Sequence, residues 1–218
     1  MKIALIGATG FVGSRILAEA LQRGHRVTAI SRHTESLTPH PNMTVKQANV
    51  LNSDELANVL ADHDGVISAF NPGRQRADPD IYEQHVTGHK AILAAVSQSG
   101  VKRFLAVGGA ASLKTASGQE YLDSPEFPAD YAPFKPGIRG TRELYYLLQE
   151  EPGLDWVFLS PSVRLTPGTR TGAYRVGKDH VLYDAQGVSA ISLEDYAVAM
   201  LDELEQPKHH QERFTVGY

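Results

Sequence analysis

The chain has 218 residues, 42% of them hydrophobic, enough for one substantial buried core and read most simply as a single domain. Its 21 Lys and Arg against 25 Asp and Glu leave a net charge of -4, so no basic surplus points to nucleic acid or an anionic membrane. The absence of cysteine excludes disulfides, thiol catalysis and sulfur-ligated metals, and is compatible with the cytosol.

The run Ile3 to Ile6 is strand-like at once, with no charged leader, and no later run approaches the roughly 20 apolar residues that span a bilayer. A soluble, unexported, cytoplasmic protein is expected, a monomer or homodimer acting on a small molecule. In chain order, "KIALIG" reads as a strand, and Ile16, Leu17, Ala20 and Leu21 form the apolar stripe of a helix ending at Gly24. The strands "RVTAISR" and "MTVKQA" follow, then a helix through Leu56, Val59 and Leu60, the strand "GVISAF", and a helix through Ile92, Leu93 and Val96 ending at Gly100. "RFLAVGG" and "DWVFLSP" are two further strands, separated by a helix carrying Leu144, Leu147 and Leu148. Several of these strands are almost uninterruptedly apolar, as a sheet covered on both faces requires. The alternation predicts an α/β fold, a Rossmann-type doubly wound parallel sheet. After Pro161 come the Pro/Gly/Thr-rich loop "TPGTRTGAY", strand-like pieces near 181–191, a helix over Leu193–Leu204 and the strand "RFTVGY". Residues from about 161 to 218 are expected to contribute a small C-terminal substrate-side lobe to the same domain.

The sharpest motif is "GATGFVG", between the first strand and the first helix. Gly7, Gly10 and Gly13 suit a tight turn, close approach of backbone to a pyrophosphate, and close helix–strand packing. With Thr9, Phe11 and Val12 between them they make a candidate dinucleotide site at a helix N-terminus, where N–H groups and the dipole favour phosphate. The second strand ends Ile30-Ser31-Arg32-His33, with no carboxylate before Glu35. An NAD site wants an acidic residue there for the ribose 2′-hydroxyl, whereas Arg32 and the Ser31 hydroxyl suit a 2′-phosphate, so NADP is favoured over NAD.

These residues resemble the atypical short-chain dehydrogenase/reductases, in the NAD(P)H-binding group that includes NADH-flavin-reductase-like proteins, NmrA-like proteins and biliverdin reductase B. Besides the glycine motif, "AVGGAASL" is similar to the family's segment after the fifth strand, "LSPSVRLTPGTRTGAY" to its substrate-side loop, and "ISLEDYAVAMLDELEQPKHHQERFTVGY" to its ending. The resemblance implies NADPH lying across the carboxyl ends of the strands. It places Ala69, Phe70 and Asn71, Val107, Gly108 and Gly109, and Pro161, Ser162, Val163 and Arg164 beside the nicotinamide half. Ser162 stands where biliverdin reductase B has a histidine.

Dehydrogenase members of the family pair a serine with a tyrosine and lysine, for which Ser112, Tyr131 and Lys135 are the catalytic candidates. "YAPFK" has the right four-residue step, but Pro133 and Pro136 oppose a helix through it. The helix is therefore expected to start around Gly137 to Arg139, leaving Tyr131 and Lys135 in a loop that lines the site, forms the dyad, or is only structural. No metal site is expected: the adjacent side chains of His209 and His210 diverge and read as a solvated turn. Asp62, His63 and Asp64 read as a helix-to-strand turn. Arg164, Arg170, Arg175 and Lys178 surround the glycine-rich loop, either to attract an acidic acceptor such as a flavin phosphate or as solvated charges. Two functions remain open: hydride transfer from NADPH to a flavin, quinone or similar small-molecule electron acceptor, or NADP(H) sensing without catalysis, as in NmrA-like proteins.

Overall fold

The computed structural model describes residues 1–73 and 78–218. Ten strands and five α-helices follow in the order β1 (Lys2–Ile6), α1 (Gly13–Gln22), β2 (Arg26–Ser31), β3 (Met43–Gln47), α2 (Ser53–Leu60), β4 (Gly65–Ser68), α3 (Ile81–Ser99), β5 (Arg103–Val107), α4 (Lys135–Gln149), β6 (Asp155–Pro161), β7 (Arg164–Thr166), β8 (Arg175–Gly177), β9 (Ala190–Ser192), α5 (Leu193–Glu205) and β10 (Glu212–Gly217). The main sheet runs β3-β2-β1-β4-β5-β6-β10-β8, parallel except for β8 against β10, while β7 and β9 pair separately. From β1 the chain winds outward through β2 to β3, then returns to β4 on the other side. A crevice at the carboxyl ends of the strands is the geometric result of that switch.

The sheet is buried on both faces, which is why its strands read as continuous apolar runs. Ile3 and Leu5 face a core shared with Ile16, Leu17 and Ala20 of α1 and Tyr196, Met200 and Leu204 of α5. Ala4 and Ile6 face the other core, with Leu56 and Leu60 of α2, Ile92 and Val96 of α3, and Leu144 and Leu148 of α4. A third, smaller cluster of Leu113, Tyr121 and Val181 lies under the segments that follow β5 and β6.

After Pro161 the expected helix and last strand are present as α5 and β10: α5 packs in the core, β10 lies beside β6 with β8 on its outer edge, and only β7 and β9 pair apart from the main sheet. Of the strand-like pieces expected near 181–191, only the end is strand, as β9; the part before it is organised around a turn by Asp184, whose carboxylate accepts from the N–H groups of Gln186 and Val188. The "YAPFK" stretch also differs: Ala129–Phe134 is a 3-10 helix, and α4 starts at Lys135 rather than near Gly137. Both prolines fit because neither breaks a bond. Tyr131 N–H donates to the Pro128 carbonyl and Lys135 N–H to that of Ala132, on either side of Pro133, and Pro136 sits in the first turn, where an N–H would be orphaned anyway.

His209 is partly buried rather than solvated, whereas His210 is exposed, as a solvated turn would have it. His209 Nδ1 meets Glu203 at 2.7 Å and its ring stacks on Phe214 at 4.2 Å, and His210 Nδ1 meets Asp155 at 2.8 Å. Arg103 completes this network, bonding Glu203 at 2.6 Å and Asp155 at 3.1 Å at the amino ends of the strands. Among the described residues no helix is long and apolar enough to cross a membrane, and no cluster of three metal-ligating side chains occurs.

Candidate functional site

A cleft of about 480 Å³ opens at the carboxyl ends of β1, β2, β4 and β5. Its floor is the glycine turn, with Gly7, Thr9, Gly10, Phe11 and Val12 exposed to it. Gly7 has φ of 79°, a left-handed conformation, and a Cβ there would sit 2.5 Å from the carbonyl oxygen of Ala69. A Cβ on Gly13 would overlap the carbonyl of Gly7, so α1 abuts the turn more closely than any side chain permits. The cleft floor is therefore bare backbone at the start of a helix, the arrangement that admits a pyrophosphate.

At one end the cleft is walled by Ser31, Arg32 and His33, with Ala48 and Val50 from the segment after β3. Thr9 Oγ1 and Ser31 Oγ lie 2.6 Å apart, tying the turn to the strand end. Arg32 is exposed, donates from Nη2 to the Pro72 carbonyl at 2.9 Å, and forms no ion pair among the described residues. At the other end stand Ala69, Phe70 and Asn71 after β4, Val107 and Gly108 after β5, and Thr141 of α4. Gly109 adjoins this end: a Cβ on it would lie 3.5 Å from Thr141.

Gly13, Gly109, Pro161, Ser162, Val163 and Arg164 are outside the cleft lining. Ser162 is buried and donates its hydroxyl to the Val216 carbonyl at 2.9 Å. Val163 N–H donates to Ser189 Oγ and Arg164 N–H to the Ser189 carbonyl. Of the cations around the glycine-rich loop, Arg170 is held on Glu19 by two 2.8 Å bonds, Lys178 pairs with Glu212 at 2.7 Å, and Arg175 donates to the carbonyls of Tyr183 and Tyr218. Arg164 alone of the four makes neither an ion pair nor a side-chain hydrogen bond among the described residues.

Ser112, Tyr131 and Lys135 form no hydrogen-bonded set among the described residues. Ser112 is 1% exposed, and its hydroxyl accepts from Arg213 at 2.9 Å. Tyr131 is 54% exposed, with ring centroids 6.4 Å from Phe127 and 6.0 Å from Phe134. Lys135 places its ammonium 5.0 Å from the Phe127 ring centroid. No hydrogen bond joins any two of the three among the described residues, and none lines the cleft.

The loop Thr166–Tyr174 is fastened down. Thr171 N–H and Gly172 N–H each donate to Asp195 at 2.8 Å, the Thr171 hydroxyl donates to it at 2.6 Å, and Gly168 N–H donates to Glu194 at 2.8 Å. Burial alone would raise the Asp195 pKa, but the bonds from Thr171, Tyr218 and Gly172 outweigh it and hold the carboxyl below its usual range. The Arg170 guanidinium likewise holds Glu19 low against its own burial.

Sequence patterns did not reveal the wall behind Phe70. Its ring packs against His89 and His85 of α3, both 2% exposed, and burial pushes the two imidazoles down to about 3 and about 4. The spacing of His85, Gly88 and His89 was the available signal, since positions i, i+3 and i+4 share one helix face. Ala48, Val50 and Thr141 gave none, because only the packing of separate segments brings them to the cleft.

A family model described as NAD(P)H-binding matches residues 7–207. A candidate epimerase from Bacteroides thetaiotaomicron is 49% identical, with a TM-score of 0.91 over 100% of this chain and 96% of that one. The Bacillus subtilis (strain 168) protein YwnB is 40% identical over 219 residues, 99% of this chain and 98% of its own. A candidate NADH-flavin reductase from Streptococcus pneumoniae TIGR4 is 32% identical, with a TM-score of 0.85 over 100% of this chain and 99% of that one. With a glycine-floored cleft at the switch point of its sheet, the chain belongs to the NAD(P)H-binding family and carries the fold of an atypical short-chain dehydrogenase/reductase.

Proposed function

We propose that this protein is an NADPH-dependent reductase that passes hydride to a flavin, quinone or similar delocalised acceptor. The observation that carries the reading is a nucleotide-sized cleft that, among the described residues, no hydrogen-bonded Ser/Tyr/Lys set lines: Ser112 is bound to Arg213, while Tyr131 and Lys135 pack on the Phe127 ring outside the cleft lining. A carbonyl becoming an alkoxide needs an acid beside its oxygen, whereas a delocalised acceptor takes its proton from water. When bound, the nicotinamide supplies a hydride, and the acceptor adds that hydride and one solvent proton to become its dihydro form.

The residues present suit the cofactor. Gly7, Gly10 and the start of α1 receive the pyrophosphate, Arg32 and Ser31 the 2′-phosphate, and Phe70, Asn71, Val107 and Gly108 the nicotinamide half. Arg32 is free to turn from the Pro72 carbonyl to a phosphate because no carboxylate competes for it among the described residues. Tyr131 and Lys135, beside Phe127, form a wall on the acceptor side rather than an acid pair. The flavin acceptor also accords with the 32% identical neighbour described as a candidate NADH-flavin reductase.

Following the nicotinamide absorbance with NADPH and NADH against riboflavin, FMN and a quinone tests this. Turnover with NADPH preferred supports the reductase. Tight NADP binding with no turnover on any acceptor supports the second reading, a redox sensor, which the absence of a hydrogen-bonded set of Ser112, Tyr131 and Lys135 among the described residues also suits.

A further inference from the structure

Phe70 faces two ways. It lines the cleft, and its ring is set into α3, edge-on to His89 with centroids 5.3 Å apart and planes at 85°, and 6.5 Å from His85 at 73°. Gly88 lies between those histidines on the same face, and a Cβ there would run into Cε1 and Cζ of the ring. From the far side α4 closes on the same spot. A Cβ on Gly140 would overlap that of His85, and one on Gly137 would lie 3.8 Å from His85 Nε2.

The histidines are poor choices for stability alone. Both are buried, they share a 3.5 Å contact between Nδ1 of His85 and Nε2 of His89, and Nδ1 of His89 has no partner among the described residues. A leucine would fill such a place without an orphaned nitrogen. What the imidazoles supply is a flat ring that a second ring can meet at right angles. Phe70 in turn anchors a short segment held at both ends: Ala69 N–H donates to the Ile6 carbonyl, and the Pro72 carbonyl accepts from Arg32, each at 2.9 Å.

We infer that Gly88, with His85 and His89, positions the nucleotide indirectly, by fixing the depth at which Phe70 and residues 69–73 stand in the cleft wall. This rests on reading the cleft as the NAD(P)H site. None of the three residues lines the cleft, so their effect passes through Phe70.

The test is a double-mutant cycle of Gly88→Ala and Phe70→Leu, reading the NADPH dissociation constant, KM, kcat and thermal midpoint. Gly88→Ala is expected to raise the dissociation constant and KM about tenfold while kcat changes less than about threefold, as a displaced wall would do. The midpoint should fall only by a few degrees, because alanine's better helix propensity offsets part of the cost of the overlap with Phe70. In the Phe70→Leu background, Gly88→Ala should add nothing further. A dissociation constant within about twofold of wild type for Gly88→Ala, or an equal rise in both backgrounds, overturns the inference. Should Gly88→Ala not fold, His89→Leu decides, since it touches Phe70 but not the cleft: a rise of several-fold in the dissociation constant supports the positioning role, and wild-type affinity overturns it. A wild-type protein that binds no NAD(P)H defeats the reading of the cleft and the inference together, whereas normal binding with indifferent variants defeats only the inference.

Discussion

Arg213 holds Ser112 twice, donating to its carbonyl at 2.8 Å and to its hydroxyl at 2.9 Å. The same guanidinium bonds Asp179 at 2.7 Å and lies over the Tyr145 ring, 4.4 Å from its centroid. Ser112→Ala removes one acceptor from a buried cation. Stability should fall by about 1–2 kcal/mol, while acceptor reduction stays within about threefold of wild type. Thermal melts and turnover together check this; a hundredfold kinetic loss with an unchanged melt would put Ser112 back among the catalytic residues.

Arg32→Asp removes the proposed phosphate partner and adds a like charge. NADPH affinity should fall by about 10- to 100-fold, the worth of a charge-assisted hydrogen bond or two, with NADH affected much less. Titrating both nucleotides decides it, and equal losses would show that Arg32 does not read the 2′-phosphate.

Tyr131→Phe should lower acceptor reduction by well under the ~10²-fold expected for losing a general acid. Lys135→Ala should leave the pH profile of turnover unchanged, since its ammonium sits over Phe127 rather than on Tyr131. Large losses in both variants at saturating NADPH, with the pH break abolished, would restore the dyad.

Acid should weaken the fold through the histidine pair. Burial pushes His85 from 6.5 to about 4 and His89 to about 3, so the unfolded chain takes up protons that the folded one refuses. The stability they confer is complete above pH 6.5 and is lost as the pH falls toward the folded values, by about 3 kcal/mol for His85 at pH 4. Glu19, Asp195 and Glu203, held low in the fold, add losses only below their ordinary carboxylate range. His89→Leu should therefore flatten the dependence of the melting temperature on pH between about 6.5 and 4.5. An identical slope in wild type and variant would show that His89 stays accessible to protons.

Much of the sheet was legible because both its faces are covered, so β1, β4, β5 and β6 carry apolar residues at successive positions and stand out from the helices between them. Gly7 and Gly13 were legible because backbone collides with any side chain there. The start of α4 was not: the cost of proline in a helix says nothing of a 3-10 turn that leads into it and uses neither proline as a donor. The histidine wall was hidden for another reason. Gly88 and Gly140 look like ordinary helix glycines until Phe70 and His85 occupy the space they leave. His209 was hidden in the same way, its partners Glu203 and Phe214 coming from other elements.

The fastening of Thr166–Tyr174 to Asp195, Glu194 and Glu19 has an entropic meaning. A stretch rich in glycine and threonine has much conformational freedom to lose, and those bonds offset that loss. Ordering it therefore belongs to the folding of the chain, since the carboxylates that hold it come from the buried helices α1 and α5 rather than from the loop itself.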